Sequence, residues 1–461
     1  MKLASLTRAA LLVSAVALVP ATTAGLAAVD GRSAPQFGRL FTVYQLVKAQ
    51  YVEQVDDTKL IDGALDGMLA ALDPHSGYLD GSAVQRVNTL IDGKYAGLGL
   101  SVVQEQETVK VVAPLRGSPA AEAGVKPGDY ITHLDGKLIY GIPLDEAVAQ
   151  MRGEAGTQIR LTLFRTGRDG PFDVTVTRKE ILLEPVTWKL EGTIGVISIN
   201  EFSRDVGNYV RTGIADLRKQ SGGKLNGLVL DLRSNPGGSL EEAVALSDLF
   251  LSTGDIVSQR GRNKGEDMYF RADDMSNYPD LPSAVAATFK GDSARGLPIV
   301  VLIDEGSASA SEIVAGALQD HRRGLVMGER SFGKGSVQSV FYLNNQRTQA
   351  VKLTTARYFT PSGRSVQEGG IEPDIRVPQL SDPDARRRSQ MVLRESDLRR
   401  HLVNEVGIDD KQLEADKQDD PRFKLTAEEL KTRGITDFQL HYALETLRRT
   451  DGTPALAAKG K

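Results

Sequence analysis

The chain lacks cysteine altogether and is poor in histidine, with five histidines in 461 residues. The absence of cysteine excludes disulfides, thiolate catalysis and cysteine-based zinc sites. The histidines are scattered, and only His321 lies in the region that carries the other candidate catalytic residues. A Ser-His-Asp triad is therefore hard to assemble, and a serine paired with a lysine is the better hypothesis.

An excess of positive charge is also missing. The formal net charge is -4, whereas nucleic-acid-binding proteins normally show a basic excess. With 41% hydrophobic and 25% charged residues, the composition is that of an ordinary globular protein. The length predicts several structural units rather than one compact core.

Long apolar runs are absent after the N-terminus. Lys2 and Arg8 precede an apolar stretch at 9–19, and small residues follow at 24–28. This order predicts a secretory signal peptide over residues 1–28, with an uncleaved membrane anchor as the alternative. We therefore expect an exported, periplasmic or otherwise extracytoplasmic protein with at most peripheral membrane association.

The rest of the chain falls into four regions that differ in composition and in apolar pattern. They are an N-terminal helical region (29–85), a β-rich module (86–180), an α/β core (181–380) and a charged C-terminal extension (381–461). In the first region Leu40, Val43 and Leu46 belong to a three- and four-residue apolar spacing that predicts helices facing a core. The extension carries two amphipathic stretches, near 386–404 and 438–449. The predicted fold class is multidomain α/β.

Strands alternate with helices along the α/β core, which is typical of a layered α/β domain. The predicted strands are 194–199, 228–232, 299–303 and 325–327, and the predicted helices are 206–220, 240–251 and 311–321. In the β-rich module only two short helices are predicted, at 119–123 and 144–152.

The segment 328–336, GERSFGKGS, misses a phosphate-binding P-loop by one residue. Gly335 stands where a P-loop has the serine or threonine that ligates magnesium, and a β-prone run follows instead of a helix. The segment therefore argues against nucleotide binding. Lys334, between two glycines, is instead a candidate buried general base, because burial disfavours the ammonium form.

A nucleophile is available in the run 306–312, GSASASE. This run follows an apolar strand and opens a helix, so that a serine at the turn exposes its hydroxyl beside free backbone amides. Ser309 and Glu312 also fit the helix capping box Ser-x-x-Glu. From spacing alone, the capping box is the favoured interpretation.

A third cluster, GLVLDLRSNPGG at 227–238, runs from a strand into a glycine-rich turn. The backbone amides of Gly237 and Gly238 could donate to an oxyanion. A plain strand-to-helix turn is the alternative interpretation.

Taken together, these clusters resemble the carboxy-terminal processing proteases, also called tail-specific proteases. The resemblance extends from Leu72 to about Pro378 and rests on Asp73-Pro-His-Ser, 231–238, 306–313 and 333–338. It implies a ClpP/crotonase-like α/β protease core with a PDZ-like β module and helical N- and C-terminal segments.

The resemblance also implies a role for individual residues. Ser309 is the implied nucleophile, Lys334 is the implied base 25 residues later, and Gln338 orients the lysine. Residues four apart on a strand share a face, which agrees with that role, although an exposed strand residue is the ordinary interpretation of Gln338. The implied oxyanion hole uses the backbone amides of Ala310 and of Gly237 or Gly238.

The β-rich module resembles a PDZ domain, with YAGLGL at 95–100 as its carboxylate-binding loop. Such a loop holds a substrate C-terminus while the tail adds a strand to a sheet edge. The candidate binding residues are Gly97, Leu98, Gly99, Leu100, Val148 and Met151. Core packing explains the apolar candidates about as well.

Arg165 is a peptide sensor by resemblance. The ordinary interpretation is an arginine that is exposed to solvent at the end of a strand.

The resulting hypothesis is an exported serine endopeptidase that recognises proteins or peptides by their free C-termini. It forms an acyl-enzyme on Ser309 and requires no cofactor and no metal. The amphipathic C-terminal helices suggest self-association or an adaptor protein. Two alternatives stay open: a catalytically inactive PDZ scaffold, and a crotonase-like acyl-CoA enzyme with its thioester oxyanion near Gly237.

Overall fold

The computed structural model describes residues 16–17, 34–105, 107–115, 117–142, 144–182, 185–262, 267–272, 292–382, 394–405 and 423–449. The chain divides into two compact units. The smaller unit is Gln85–Glu184, and the larger combines Met1–Val84 with Pro185–Lys461. Among the described residues, no helix has the length and apolar character needed to cross a membrane.

The N-terminal part of the larger unit is mainly helical. It contains β1 (Val16–Ala17), α1 (Ala34–Gln50), α2 (Asp57–Ala70) and β2 (Gly77–Leu79). The helices are confirmed, but the prediction that they face a core is wrong for α1. Leu40, Val43 and Leu46 are 46%, 57% and 60% exposed. Apolar spacing specifies a helix with one apolar face and does not specify what covers that face.

The smaller unit is an antiparallel β module. Its elements are α3 (Gly81–Asp92), which leads into it, β3 (Lys94–Gly97), β4 (Leu100–Glu105), β5 (Thr108–Pro114), α4 (Pro119–Glu122), β6 (Tyr130–Leu134), β7 (Lys137–Leu138), α5 (Leu144–Met151), β8 (Gln158–Phe164), β9 (Phe172–Thr177) and β10 (Lys179–Leu182). Strands β4, β5, β6, β8 and β9 form one sheet in that order, β7 pairs with β6, and β3 pairs with β10. Ile159, Leu161 and Leu163 are buried in β8 while the residues between them are not, as in a strand with one face on a core.

The remainder of the larger unit is an α/β core. Its elements are β11 (Val186–Glu191), β12 (Ile194–Ile199), α6 (Val206–Gln220), β13 (Gly227–Asp231), α7 (Leu240–Asp248), β14 (Asp255–Gly261), β15 (Met268–Arg271), β16 (Ile299–Ile303), α8 (Ala310–Asp320), β17 (Leu325–Gly328), β18 (Ser336–Tyr342), β19 (Ala350–Phe359) and β20 (Ile375–Arg376). The predicted strands and helices of this region occur close to their predicted bounds. The central sheet has the order β11-β12-β13-β16-β17-β20, and every neighbouring pair except β11–β12 is parallel.

A second sheet lies in the same unit. Its order is β1-β18-β19-β14-β15, with β2 paired to β19. Strand β1 runs parallel to β18, where Val16 pairs with Gln338 and Ala17 with Ser339. Strand β18 directly follows the loop that contains Lys334.

The C-terminal extension contains a 3₁₀ turn (Glu395–Asp397) and two helices, α9 (Ala427–Thr432) and α10 (Phe438–Arg449). The helix predicted near 438–449 is confirmed. The one predicted near 386–404 is wrong for residues 394–404, which form no helix beyond the 3₁₀ turn, while 386–393 lie outside the described residues. Contacts with the core determine this segment, because its Glu395 is fully buried.

Helices cover both faces of the central sheet. Side chains of α6, α7 and α8 form one apolar cluster with one face, and Phe438, Leu444 and Leu447 of α10 form another with the opposite face. Because β16 is buried on both sides, all five of its residues are apolar. The apolar face of α10 is therefore used within the chain rather than displayed to a partner.

Candidate active site

The three sequence clusters follow three neighbouring parallel strands. β13, β16 and β17 pair in that order, and the loops that leave their carboxyl ends carry Gly237–Gly238, Ser309 and Lys334. Carboxyl ends of parallel strands meet at one edge of a sheet, where ligand sites of α/β folds are found. The fold therefore brings the predicted nucleophile, base and amide donors to the same edge.

The glycine turn after β13 lies directly against the serine turn after β16. A Cβ on Gly237, whose φ is 103°, would lie 2.9 Å from Ser309 Cβ and 3.0 Å from the Ala310 nitrogen. The backbone carbonyl of Asn235 accepts the Ala308 amide at 3.0 Å. Only glycine permits this approach, which explains the Pro-Gly-Gly sequence better than a plain turn does.

Ser309 is fully buried and has a backbone that only a constrained turn allows. Its φ and ψ are 57° and −109°, an arrangement that costs about 1–3 kcal/mol in a non-glycine residue. An ordinary N-cap residue has an extended backbone instead. The Glu312 carboxylate accepts the Ser309 amide at 2.7 Å, as in a capping box. The backbone of Ser309 differs from that of an ordinary N-cap residue.

Lys334 is fully buried, and its Nζ has no hydrogen-bond partner among the described residues. Burial, followed by the nearby charge of Lys352, lowers the pKa of Lys334 to about 7. The flanking glycines permit close backbone contacts, because a Cβ on Gly333 would lie 2.6 Å from the Glu368 oxygen and one on Gly335 would lie 2.5 Å from the Gln367 nitrogen. With this pKa, the neutral amine is a major form of Lys334 at physiological pH.

Glu312 connects the nucleophile turn to the base loop. Besides the Ser309 amide, its carboxylate accepts the amides of Gly333 at 2.7 Å and Lys334 at 3.0 Å. It also accepts the hydroxyls of Ser331 at 2.6 Å and Tyr358 at 3.3 Å. Burial raises the pKa of Glu312 to about 7. One buried carboxylate therefore fixes both loops, a role that the sequence indicated only as a helix cap.

Gln338 is buried on β18, with a geometry that differs from the predicted one. Lys334 precedes the strand, and the pairing of β18 with β19 is irregular between Val337 and Gln338, so the argument that the two residues share a strand face does not apply. Gln338 Nε2 donates to Ser336 Oγ at 3.0 Å and to Thr354 Oγ1 at 3.1 Å. None of the residues that the structure describes donates to its Oε1.

The predicted oxyanion donors differ in availability. The Gly237 amide already donates to Asn235 Oδ1 at 2.9 Å. Among the hydrogen bonds of the described residues, the amides of Gly238 and Ala310 donate to no protein group. Of the two glycines left open by the sequence, the geometry therefore favours Gly238.

Several buried polar residues near the base were not given a role from the sequence. His75 lies beside Glu395, with 2.8 Å between His75 Nε2 and Glu395 Oε2. The Tyr358 hydroxyl donates to the Lys334 carbonyl oxygen.

His321 instead ends α8, with its Nε2 2.6 Å from the Asp255 carbonyl. Among the described residues, no group of three or more His, Asp and Glu side chains could hold a metal ion.

In the β module, the predicted carboxylate-binding loop is a tight turn anchored through its carbonyls. The carbonyls of Leu98 and Gly99 accept the amides of Ala120 at 3.0 Å and Leu115 at 2.8 Å. Gly99 has a φ of 69°, and a Cβ on it would lie 2.3 Å from Ser118 Cβ, so the position requires glycine.

The apolar candidates of the same module divide into two pairs. Leu98 and Met151 are buried in its core, whereas Leu100 and Val148 pack against that core from partly exposed positions. Arg165 forms a bidentate pair with buried Asp129, with distances of 2.6 and 2.8 Å. It is therefore not a merely solvated strand end.

Three family models match parts of the chain. The model of peptidase family S41 matches residues 193–377, that of the activating protease CtpB N-terminal domain matches 21–83, and that of the PDZ domain matches 110–165.

Curated relatives match most of the chain. The carboxy-terminal-processing protease of Bartonella bacilliformis is 45% identical over 368 residues, covering 80% of each chain. The carboxy-terminal processing protease CtpA of Bacillus subtilis is 34% identical over 74% of this chain and 69% of its own length. A probable CtpA-like serine protease of Staphylococcus aureus is 33% identical over 74% of this chain, which spans 64% of that relative.

Solved structures of similar proteins are also known. A photosystem II D1 C-terminal processing protease is 29% identical, with 73% of this chain and 86% of that chain covered at a TM-score of 0.40. The PDZ domain of a Vibrio cholerae carboxy-terminal protease, solved with a peptide, is 25% identical over 20% of this chain and 99% of that one, with a TM-score of 0.19.

Proposed function

The chain belongs to peptidase family S41 and is a serine-type carboxy-terminal-processing protease with a PDZ domain, and on that premise we propose that Lys334 activates Ser309 in an exported endopeptidase. In this proposal the Ser309 hydroxyl proton passes to Lys334 Nζ as Oγ bonds to the scissile carbonyl carbon. The carbonyl oxygen becomes an oxyanion that accepts the amides of Gly238 and Ala310.

The acyl-enzyme then forms and is hydrolysed with the same groups. The C–N bond breaks, and the leaving amine takes the proton from the Lys334 ammonium. Water attacks the acyl-enzyme, its proton passes to Lys334, and Ser309 recovers its hydroxyl as the new C-terminus departs. No step uses a metal or an organic cofactor.

The observation that carries this proposal is the unpaired, fully buried amine of Lys334. A buried cation without a partner is unfavourable, so the site selects the neutral amine, which is the form that accepts a proton. The backbone of Lys334 shares the Glu312 carboxylate with the Ser309 amide. The amine and the hydroxyl therefore sit on loops that one group fixes in place.

The pH dependence of cleavage tests this assignment. With a Lys334 pKa of about 7, kcat/KM should rise as the pH rises through about 7, because the ammonium form cannot accept the serine proton. An unperturbed lysine would place the same limb near 10.5. Initial rates on a tail peptide from about pH 5 to pH 10 distinguish the two, and a limb near pH 10 would contradict the assignment.

Substrate recognition through a free C-terminus is the second part of the proposal. PDZ loops hold a terminal carboxylate with backbone amides while the tail extends a sheet. The turn at Gly99 supports this role, because its left-handed backbone leaves the carbonyls of Leu98 and Gly99 bonded within the module.

Amidation of the substrate C-terminus is expected to raise KM roughly tenfold to a hundredfold, since charge-assisted hydrogen bonds to the carboxylate are lost. Gly99→Ala should raise KM for the peptide with a free C-terminus by the same factor, because the added Cβ would collide with Ser118. Gly167→Ala is the matched control, with a φ of 85° and no atom near its Cβ. Equal KM values for free and amidated peptides would refute carboxylate recognition.

The edge of β18 is proposed to receive the scissile segment. Val16 and Ala17 already pair with Gln338 and Ser339 on that edge, so an extended apolar segment is accommodated there. Removal of residues 1–28 on export would leave the edge open to a substrate. N-terminal sequencing of the protein recovered from the extracytoplasmic fraction tests both export and this removal.

Self-association or an adaptor is proposed for α1 rather than for α10. Phe37, Phe41 and Leu46 are more than half exposed on α1, and a helix with an uncovered apolar face is typical of an interface. Light scattering of the purified chain, compared with its Phe41→Glu variant, tests whether a second copy covers this face.

A further inference from the structure

A buried hydrogen-bonded pair from outside the residues matched by the S41 model contacts the loop that carries Lys334. His75 Nε2 lies 3.0 and 2.8 Å from the two carboxylate oxygens of Glu395, and both side chains are buried. His75 lies in the turn between α2 and β2, and Glu395 lies in the C-terminal 3₁₀ turn. The S41 match covers only 193–377.

Glu395 holds the base loop on both sides of Lys334. Before the lysine, the Glu395 amide donates to the Phe332 carbonyl at 3.3 Å. After it, the Glu395 carboxylate accepts Gln367 Nε2 at 2.9 Å, and Gln367 Oε1 accepts the Gly335 amide at 3.0 Å. The position of the lysine backbone therefore depends on a residue of the C-terminal extension.

The turn that carries His75 also reaches Gln338. Asp73 accepts the His75 amide at 2.8 Å and the Thr354 hydroxyl at 3.1 Å. The same Thr354 oxygen accepts Gln338 Nε2 at 3.1 Å. The Asp73-Pro-His-Ser segment thus contacts the base loop through Glu395 and contacts Gln338 through Thr354.

Charged groups face Lys334 from several elements. They are Glu312 from α8, Lys352 from β19, Asp73 with His75 from the turn after α2, and Glu395 from the C-terminal extension. The three carboxylates favour the ammonium form of Lys334, and Lys352 opposes it. Burial lowers the pKa of His75 below its ordinary 6.5, so the imidazole donates to Glu395 in its neutral form. Within the pair, Glu395 is therefore the group that favours the ammonium form of Lys334.

We propose that His75 and Glu395 are positioning residues for the Lys334 base: they fix the loop Phe332–Gly335 and keep one negative charge beside the amine. The inference rests on the proposed Ser309–Lys334 function. It makes the N-terminal turn and the C-terminal extension parts of one active site, although the two residues are 320 positions apart in the chain. An S41 core without them would contain the nucleophile and the base but would hold the base loop through Glu312 without the contacts from Glu395.

Two substitutions of Glu395 separate its contacts from its charge. Glu395→Gln keeps the shape and can still bond to Gln367 and to the other tautomer of His75. It is expected to retain most of kcat and to move the acid limb of the pH profile down by about one pH unit, because an anion near Lys334 is lost. Glu395→Ala removes both functions and should lower kcat about a hundredfold with KM unchanged.

Gln367→Ala gives an independent measurement if Glu395→Ala fails to fold. It removes the link from Glu395 to the Gly335 amide without changing a charge, so kcat should fall while the acid limb stays in place. His401→Gln is the matched control. His401 pairs with Glu368 at 2.7 Å in the same segment, and its loss should change neither quantity.

The outcomes distinguish this inference from the proposed function. The positioning role is wrong if Glu395→Gln leaves the acid limb of the pH profile unmoved. It is also wrong if Glu395→Ala and Gln367→Ala keep wild-type kcat. In either case an inactive Lys334→Ala would leave the Ser309–Lys334 dyad supported. If Lys334→Ala itself cleaves normally, the proposed function fails first. A downward shift in Glu395→Gln together with low kcat in Gln367→Ala supports the inference, since a merely structural role would not move the pH profile.

Discussion

Lys334→Ala is expected to lower kcat for a tail peptide by at least about a thousandfold, because a general base and its activation of the nucleophile are lost together. The protein should fold normally, since the substitution removes a buried amine that has no hydrogen-bond partner among the described residues. Thermal unfolding and steady-state kinetics on the same preparation give both quantities.

Two further variants sharpen this test. Lys334→Met fills the space of the lysine stem without an amine, so it should be as inactive as alanine and at least as stable as the wild type. Lys189→Ala removes an exposed lysine and should cleave normally. A Lys334→Met enzyme that keeps turnover within tenfold of the wild type (roughly 1.4 kcal/mol of barrier) would show that another group accepts the serine proton.

Glu312→Ala is expected to cause the second-largest loss, about a hundredfold or more in kcat, through displacement of both loops. It leaves the amides of Ser309, Gly333 and Lys334 without their buried acceptor. Each stranded donor costs about 1–3 kcal/mol, and the strained backbone of Ser309 is then free to relax. The loss should therefore appear in thermal stability as well as in kcat.

Glu429→Ala is the matched control for the capping interpretation. Glu429 completes a capping box at the start of α9, where its carboxylate accepts the Thr426 amide at 2.8 Å. If Glu312 served only as a cap, the two variants would lose similar stability, about 0.5–2 kcal/mol, and both would keep wild-type kcat. Full activity in Glu312→Ala would contradict the role assigned to this carboxylate.

Much of the fold could be predicted from the sequence, because its signals are local. The all-apolar run of β16 and the glycine turns after β13 and β17 mark strand ends, and parallel order then brings those ends together. These signals predict that Ser309 and Lys334 lie in loops at one edge of the sheet, but the nucleophile role of Ser309 comes from the family resemblance, because spacing alone favours a helix cap. The choice between Gly237 and Gly238 could not be predicted, since it depends on Asn235 accepting one of the two amides.

The contacts behind the base could not be predicted for a different reason. His75 and Glu395 carry no spacing signal, since their pairing exists only after distant segments pack together. Apolar spacing likewise predicted α1 correctly as a helix and wrongly as a core element. In the segment 394–404, amphipathic spacing predicted a helix, and the burial of Glu395 against the base loop prevailed over that local preference.

Acylation of Ser309 is the measurement that tests the central claim most directly. A β-lactone probe transfers an acyl group to an activated serine, and peptide mapping by mass spectrometry locates it. The proposed dyad predicts one acyl group on Ser309 at about pH 8, where Lys334 with its pKa of about 7 is neutral. It also predicts slower labelling below the pKa and no labelling of Ser309→Ala or Lys334→Met. Wild-type labelling of Ser309 in Lys334→Met, or an unlabelled Ser309 in an active wild-type enzyme, would contradict it.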